Sequence, residues 1–228
     1  MIYEIFSSIA EKYDLMGHVF SLGIDGIWRN IASKEAILDK PSYNLLDAAT
    51  GTGSLAIEIA KKSEKEHKNI KITGIDINKD MLDIARRKIK SRSLNNVIDI
   101  KTEDAMKLDE PPDYYDVVTA GFLLRNVDDT MAFSSEMERI LKKGGKFILL
   151  EMGRIDFWPA DLFFKLYSPV IRFVGSFIDK RAYRWLTSSI MTFDRYKMAG
   201  ILREYSFKDI KIKNLPFCIG FIITGEKG

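Results

Sequence analysis

A mostly parallel β-sheet with helices on both faces, closed by an antiparallel hairpin, is the α/β fold class this 228-residue chain predicts. Three observations predict it. Strand-like and helix-like runs alternate from residue 44 onward, which argues for parallel strands joined by crossover helices. The first apolar run, Asn44-Leu45-Leu46-Asp47-Ala48-Ala49, breaks into the glycine turn Thr50-Gly51-Thr52-Gly53, as a buried strand feeding a helix does. The last two strand-like runs meet around Pro216 in a turn of two to three residues, too short for a crossover, so they pair antiparallel.

Taken in order, residues 1–40 read as an N-terminal helical cap. The strand candidates are 44–48, 71–76, 97–101, 115–119, 146–151, 210–214 and 217–225. Helical patterns occupy 55–65, 79–91, 130–142 and 195–204. Lys142-Lys143-Gly144-Gly145 reads as a helix stop, with cations at the negative end of the helix dipole and glycine as the left-handed cap. Residues 154–192 are too long for a loop and carry Phe157, Trp158, Phe163, Phe164, Tyr167, Phe173, Phe177, Tyr183 and Trp185. They read as a helical insertion after the fifth strand, either a cap completing the core or a lid over an apolar substrate. An insertion there arrives at the carboxyl ends of the strands, where open α/β sheets hold ligands. The whole chain, 1–228, reads as one domain, with no internal repeat.

Composition narrows the function classes. With 35 basic and 32 acidic residues, a net charge of +3 and no basic tract, nucleic acid is not an expected partner. The single cysteine, Cys218, lies in an apolar run and reads as a packed side chain in a reducing compartment. His18 and His67 are isolated, so no metal site is expected. No uncharged apolar stretch reaches the length of a membrane span, and residues 1–12 lack the apolar core of a signal peptide. The expected location is cytoplasmic.

The glycine turn is a nucleotide-type site with two readings. Gly51-Thr52-Gly53-Ser54-Leu55-Ala56 fits the loose dinucleotide pattern, with Asp76 following at the end of an apolar run. Asp47, at the strand end, argues instead for a ligand carrying a cation, such as the amino group of a methionine moiety. The spacing Asp47-x-Ala49-x-Gly51-x-Gly53 resembles motif I of S-adenosylmethionine (SAM) methyltransferases. Such turns also serve merely to join a strand to a helix.

Further motifs sharpen the resemblance. Lys12-Tyr13-Asp14-Leu15-Met16, Ser21-Leu22-Gly23-Ile24 with Trp28, Leu124-Arg125-Asn126-Val127, Leu150-Glu151 and Arg139-Ile140-Leu141-Lys142-Lys143-Gly144-Gly145 together resemble the ubiquinone/menaquinone biosynthesis C-methyltransferase family. The similarity covers residues 3–227. The chain departs from the family pattern at Thr50-Gly51-Thr52-Gly53-Ser54, at Gly17, at Asp25-Gly26 and near Lys227. The resemblance implies a Rossmann-like, seven-stranded SAM-methyltransferase sheet and SAM as methyl donor. Asp47, Gly51, Thr52, Gly53, Asp76, Met81, Asp104, Ala105 and Gly121 would form the cofactor pocket, with Glu103 competing with Asp104 for the adenine amino group.

The acceptor implied is a polyprenylated quinol, methylated on a ring carbon. Arg125 would stabilise the phenolate that activates that carbon, Asn126 would hold the ring oxygen, and Tyr13 and Asp14 would close the pocket from the N-terminal helices. Arg125-Asn126 also suits a structural ion pair and a turn, and Asp14 a helix end. A prenyl tail would explain the aromatic insertion and a transient contact of residues 157–177, Phe163 and Phe164 among them, with the inner face of a membrane. A homodimer is admitted as the assembly. Other readings stay open: a SAM methyltransferase for another small or lipid-like acceptor, a SAM-binding subunit without turnover, and a nicotinamide enzyme.

Overall fold

The computed structural model describes residues 2–127, 129–153, 158–216 and 219–228. Helices α1 (Ile2–Ile9), α2 (Tyr13–Ser21) and α3 (Asp25–Glu35) precede the sheet, with a single 3-10 turn, Ala10–Lys12, between the first two. The sheet follows as β1 (Ser42–Ala48), α4 (Ser54–Lys65), β2 (Asn69–Asp76), α5 (Lys79–Ser91), β3 (Ile98–Thr102) and β4 (Tyr115–Gly121). After a short 3-10 turn at Leu124–Asn126 come α6 (Thr130–Ile140), β5 (Leu141–Met152), α7 (Trp158–Thr192), α8 (Arg195–Glu204), β6 (Phe207–Asn214) and β7 (Gly220–Lys227). The seven strands lie in the order β3-β2-β1-β4-β5-β7-β6. Strands β1 to β5 run parallel, and β7 pairs antiparallel with both β5 and β6. This is the fold class the alternation predicted.

Both faces of the sheet are dry, which is why its strands read as near-continuous apolar runs. Leu45, Ile72, Val117, Ile148 and Leu150 point to one side, under Leu55 and Ile59 of α4 and Trp28 of α3. Leu46, Val118, Phe147 and Leu149 point to the other, under Phe133 and Met137 of α6 and Leu202 of α8. Trp28 is pinned by its indole N–H, which donates to the Pro216 carbonyl at 3.1 Å, and Gly220 passes so near its ring that a Cβ would stand 3.0 Å away.

Several boundaries differ from the sequence expectation. Helix α6 stops at Ile140, and Lys142 to Gly145 belong to β5 rather than to a helix cap. The pairing jumps from Tyr115↔Leu141 to Val117↔Lys146, so Gly144, at φ +72°, serves a strand irregularity instead of a helix end. Strand β6 begins at Phe207, earlier than expected, because an irregularity between Lys208 and Lys211, with Asp209 at φ +50°, hides the first residues of this charged edge strand. Strand β7 begins at Gly220, so the turn is longer than two to three residues. Phe217 and Cys218 lie outside the described residues, as do Asp128 and residues 154–157, Phe157 among them.

The insertion is a helical hairpin. Asp179 leaves helical geometry (φ −156°, ψ 109°), and its carboxylate accepts from the Ala182 N–H at 2.8 Å, so the residue that breaks the first limb caps the second. The limbs close on each other at Gly175, where an added Cβ would meet the Tyr183 ring at 2.2 Å. The hairpin rests on α2: the Tyr183 hydroxyl donates to the Met16 carbonyl (3.2 Å) and the Tyr167 hydroxyl to the Phe20 carbonyl (2.9 Å). Phe164 and Ile171 face inward and are buried. Trp158, Leu162, Leu166, Val170, Phe173 and Phe177 face outward at helical spacing and are exposed, with Phe163 and Val174 beside them. The insertion is therefore both core and apolar surface, and Phe164, expected as a surface anchor, belongs to the core. Among the described residues, no helix is long and apolar enough to cross a membrane.

Candidate active site

The glycine turn sits at the carboxyl end of β1, between β2 and β4. Gly51 (φ +55°) and Gly53 (φ +76°) take left-handed backbone, and a Cβ on Gly51 would meet nothing within 4 Å, so a ligand has room against this backbone. Ala49 shares that conformation at φ +50° without glycine's freedom. Helix α4 starts at Gly53 with no side-chain cap, leaving its first N–H groups for other acceptors. Asp76, at the end of β2, is half-buried and holds the turn in register. Its carboxylate accepts from the Gly51 N–H (3.0 Å) and the Asn78 N–H (2.8 Å). Burial pushes its carboxyl above the usual range, and those N–H donors work against the shift.

Asp47 is enclosed. One carboxylate oxygen accepts from the Thr50 hydroxyl and the other from the Thr119 hydroxyl, both at 2.6 Å, which ties the turn to β4. Burial drives its carboxyl up to about 6, against those two hydroxyl donors. Asp47 therefore braces the turn from within, where the sequence suggested a carboxylate facing a ligand's cation.

The N-terminal helices close over this turn. Asp14, near the start of α2, accepts from the Thr52 hydroxyl (2.7 Å), the Ser54 hydroxyl (3.2 Å) and the Lys88 ammonium (2.8 Å). Lys88, from α5, donates as well to Thr52 (3.1 Å) and Ser54 (2.7 Å). Burial opposes ionisation of Asp14, but Lys88 and the two hydroxyls outweigh it and hold the carboxyl below its ordinary value. Met81 packs on Ala10, Phe6 and Tyr13 of this cap, so its helical position serves packing. Asp104 caps its own turn, accepting from the Met106 N–H at 2.9 Å, while Ala105 is buried beneath the sheet. Beside them Glu103 keeps a buried carboxylate oxygen with no hydrogen-bond partner. Both acidic candidates keep acceptor capacity, Asp104 on an exposed side chain and Glu103 on an oxygen sealed from solvent.

Next to the turn lies an apolar cleft of about 730 Å³, part of it open to solvent, lined from α1 to α3 by Phe6, Tyr13, Met16 and Trp28 and from the hairpin by Trp185 and Leu186. Gly121 ends β4 beside it, so close to Leu55 that a Cβ would stand 3.3 Å from that side chain. Two arginines, Arg125 and Arg29, line the cleft. Arg125 is fixed from β5 and the hairpin. Its Nε donates to Glu151 Oε1 at 2.6 Å and its Nη1 to the Ser189 hydroxyl at 3.2 Å, and its Cζ lies 6.0 Å from the centre of the Trp185 ring. Both Arg125 and Glu151 are almost fully buried. Glu151 also accepts from the Met152 N–H (2.8 Å), so the carboxylate is fixed while the guanidinium keeps N–H groups for the cleft. Burial pushes the Tyr13 phenol up to about 12, with Arg125 pulling it down, so Tyr13 stays protonated at neutral pH and can donate.

The structure thus brings Tyr13, Asp14 and Arg125 to one cleft and sets Gly51, Thr52, Gly53, Asp76 and Gly121 at its edge. Asn126 stands apart. Its amide donates to the Phe122 carbonyl at 3.2 Å, its Oδ1 is buried and unpartnered, and it does not line the cleft. Sequence reasoning missed Lys88, Asp25 and Arg29, because their partners lie on other helices or sit in a segment whose pattern showed only periodicity. Among the described residues, no group of three or more His, Cys, Asp or Glu is placed to hold a metal ion.

Comparison with known proteins meets the same geometry. The sequence profile of the ubiE/COQ5 methyltransferase family matches residues 1–227. The ubiquinone/menaquinone biosynthesis C-methyltransferase of Geotalea daltonii is 34% identical over 99% of this chain and 96% of its own length. The demethylmenaquinone methyltransferase of Bacteroides fragilis is 32% identical over 99% and 92%. The crystal structure of a SAM-dependent methyltransferase from Aquifex aeolicus superposes with a TM-score of 0.63, covering 88% of this chain and 89% of that one at 14% identity, which speaks for the fold alone. An open glycine turn, a strand-end carboxylate and a near full-length match lead to one conclusion: the chain is a SAM-dependent methyltransferase and belongs to the ubiE/COQ5 methyltransferase family.

Proposed function

We propose that the enzyme methylates a ring carbon of a polyprenylated quinol. The observation that carries this is Arg125, a guanidinium locked by Glu151 and Ser189 with its free edge in an apolar cleft. A quinol carbon becomes nucleophilic as its neighbouring oxygen gains phenolate character, and a phenol near pKa 10 resists that at neutral pH. A fixed cation on a largely apolar wall stabilises the developing anion more than it would in water. Tyr13, kept protonated by burial, supplies a second donor to the same oxygen. The apolar walls take the ring, and the fixed geometry saves orientational freedom.

The cofactor supplies an electrophilic methyl group on a sulfonium, already activated, so this chain contributes alignment and charge. Gly51 leaves the backbone room for it, Gly53 packs against Ala85 of α5 to set the turn, Thr52 lies under the cap, and Asp76 would accept from ribose hydroxyls. Asp104, exposed and with one carboxylate oxygen unused, would accept from the adenine amino group, and Glu103 would do so only if its sealed oxygen turned outward. Ala105 would frame that end of the pocket.

The substrate's tail gives the outward face of the hairpin its purpose. Trp158, Leu166, Phe173 and Phe177 are each more than two-thirds exposed, an apolar ridge that water does not favour. Lys180 and Arg181 stand exposed at the turn beyond Phe177. Apolar side chains beside cations suit the boundary between lipid tails and headgroups, so the reading includes a reversible contact with a membrane surface.

The test is transfer of radiolabelled methyl from SAM to demethylated naphthoquinols and benzoquinols. Label in the quinol is the expected result, and Arg125→Lys, which keeps the charge but not the fork held by Glu151 and Ser189, should lower kcat about 100-fold with SAM affinity unchanged. No label in any quinol, with SAM bound, would overturn the reading.

A further inference from the structure

The cleft holds a second arginine–carboxylate pair that the proposed chemistry at Arg125 leaves unused. Asp25, at the start of α3, lines the same cleft and is buried, 5% exposed. Its Oδ1 accepts from the Ser21 hydroxyl at 2.7 Å and lies 3.4 Å from His18 Nδ1, and its Oδ2 accepts from Arg29. Burial opposes ionisation of Asp25, but Ser21, Arg29 and His18 more than compensate, so the carboxyl is held below its ordinary value. Arg29 and Ser21 line the cleft with it, and Tyr13 feels the charges of both Arg29 and Arg125, which places its hydroxyl in the field of both pairs.

An ionised carboxylate offers only acceptor sites, about four in all, and the partners named here do not fill them. A group that meets Asp25 from the cleft must therefore donate. A hydroquinone carries hydroxyls on opposite sides of its ring, and each can donate. The oxidised quinone presents carbonyls in the same places, which can only accept. Lone pairs facing a buried carboxylate repel, and neither side gains a hydrogen bond for the water it loses.

We propose that Asp25, set by Ser21 and Arg29, receives the acceptor's hydroxyl remote from Arg125 and thereby admits the reduced quinol while rejecting the oxidised quinone. The proposal rests on the quinol reading of the cleft. Asp25 is a specificity residue here and takes no part in transferring the methyl group. Burial makes the discrimination strong, because a site built to pair with a hydroxyl rejects an analogue lacking it far more firmly than an apolar wall does.

The test is anaerobic methyl transfer to a short-chain demethylated naphthoquinol, titrated with the oxidised form of the same compound as inhibitor. For the native enzyme, the inhibition constant of the oxidised form should exceed the KM of the quinol by about tenfold or more. In Asp25→Asn the amide can donate to a carbonyl, so that ratio should fall about tenfold, with SAM affinity by titration unchanged. Equal ratios in the two proteins would overturn the proposal. A measurement on the native enzyme covers the case in which Asp25→Asn does not fold. Replacing the remote hydroxyl of the quinol by a methoxy group should raise KM about tenfold, and an unchanged KM would overturn the proposal equally. Absence of turnover with every quinol is the separate result that removes the quinol reading itself.

Discussion

Asp47 shows what a single buried carboxyl imposes on this enzyme. Folding carries it from its ordinary 3.8 to about 6 through burial. The folded chain therefore keeps a proton that the unfolded chain gives up between those values, so this residue's contribution to stability is complete below about pH 4 and is lost as the pH rises through 6. About two units correspond to roughly 3 kcal/mol over that window. Asp47→Asn should abolish this part of the slope, read as unfolding midpoints in denaturant from pH 4 to 7. A cofactor ammonium close to Asp47 would draw the proton off, and SAM affinity would then climb between pH 5 and 7. Flat affinity would confine Asp47 to bracing the turn. The turn itself was legible, since Gly51 and Gly53 announce left-handed backbone. The inward aim of Asp47 was not, because the hydroxyl of Thr119 that fixes one oxygen is 72 residues away. Asp25 escaped for a similar reason: as a residue it reads as the acidic start of a helix, and only packing shows that it faces the cleft.

Among the elements, the insertion is where expectation and structure diverge most usefully. Its aromatics were visible in the sequence, and their spacing separates Phe164, Ile171 and Gly175 from Leu162, Leu166, Val170, Phe173 and Phe177, yet the break at Asp179 carries no proline or glycine to reveal it. Without the break the two faces cannot be told apart, because a single long helix and a folded hairpin bury different sides. The ridge can now be tested without touching the core. Replacing Phe163, Phe173 and Phe177 together by Ser removes exposed apolar area and should cut partitioning to anionic liposomes about tenfold or more, at unchanged thermal stability and SAM affinity. Unaltered partitioning in a sedimentation assay would exclude the ridge as a lipid contact. Replacing Phe164 would not discriminate, since its loss would open a cavity. The edge strand β6 and the bulged start of β5 were obscured differently: lysine-rich stretches look like loop or helix end until a neighbouring strand is present to pair with them.

Across the whole molecule, the cofactor turn and the acceptor cleft share one lid, the N-terminal helices. Packing of Phe6 and Tyr13 on Met81 and Ile84 holds that lid by apolar contact, and Lys88 fastens it through Asp14, Thr52 and Ser54. Side chains on this latch are partly exposed, so its worth is discounted to about 1 kcal/mol. Lys88→Met should therefore raise amide exchange in residues 2–21 about fivefold and speed SAM release by a similar factor, leaving exchange in β4 and β5 unaltered. Exchange that rises equally throughout the sheet would mean a loss of global stability instead of a loosened lid. The succession of strands and helices along the chain and the place of the site were legible because alternation and a glycine turn are local signals, whereas the spatial order of the strands was not. The lid was not, since Lys88 and Asp14 are 74 residues apart and neither carries a local motif that names the other.

The distribution of tryptophan gives the molecule a set of built-in optical reporters. It has three. Trp28 is buried against the sheet at the wall of the cleft, so its blue emission should report unfolding and respond to the acceptor together with Trp185. Trp158 stands 74% exposed at the end of the ridge, so its red emission should shift to the blue when it leaves water for lipid. Trp185 lies in the cleft beside the Arg125 cation and in edge contact with Phe6 at 5.6 Å, a position in which an entering aromatic ring would quench it. Surface attachment would then fall in a spectral component apart from folding and acceptor entry in a single unlabelled sample, and replacing Trp28 or Trp185 with Phe would divide the latter two.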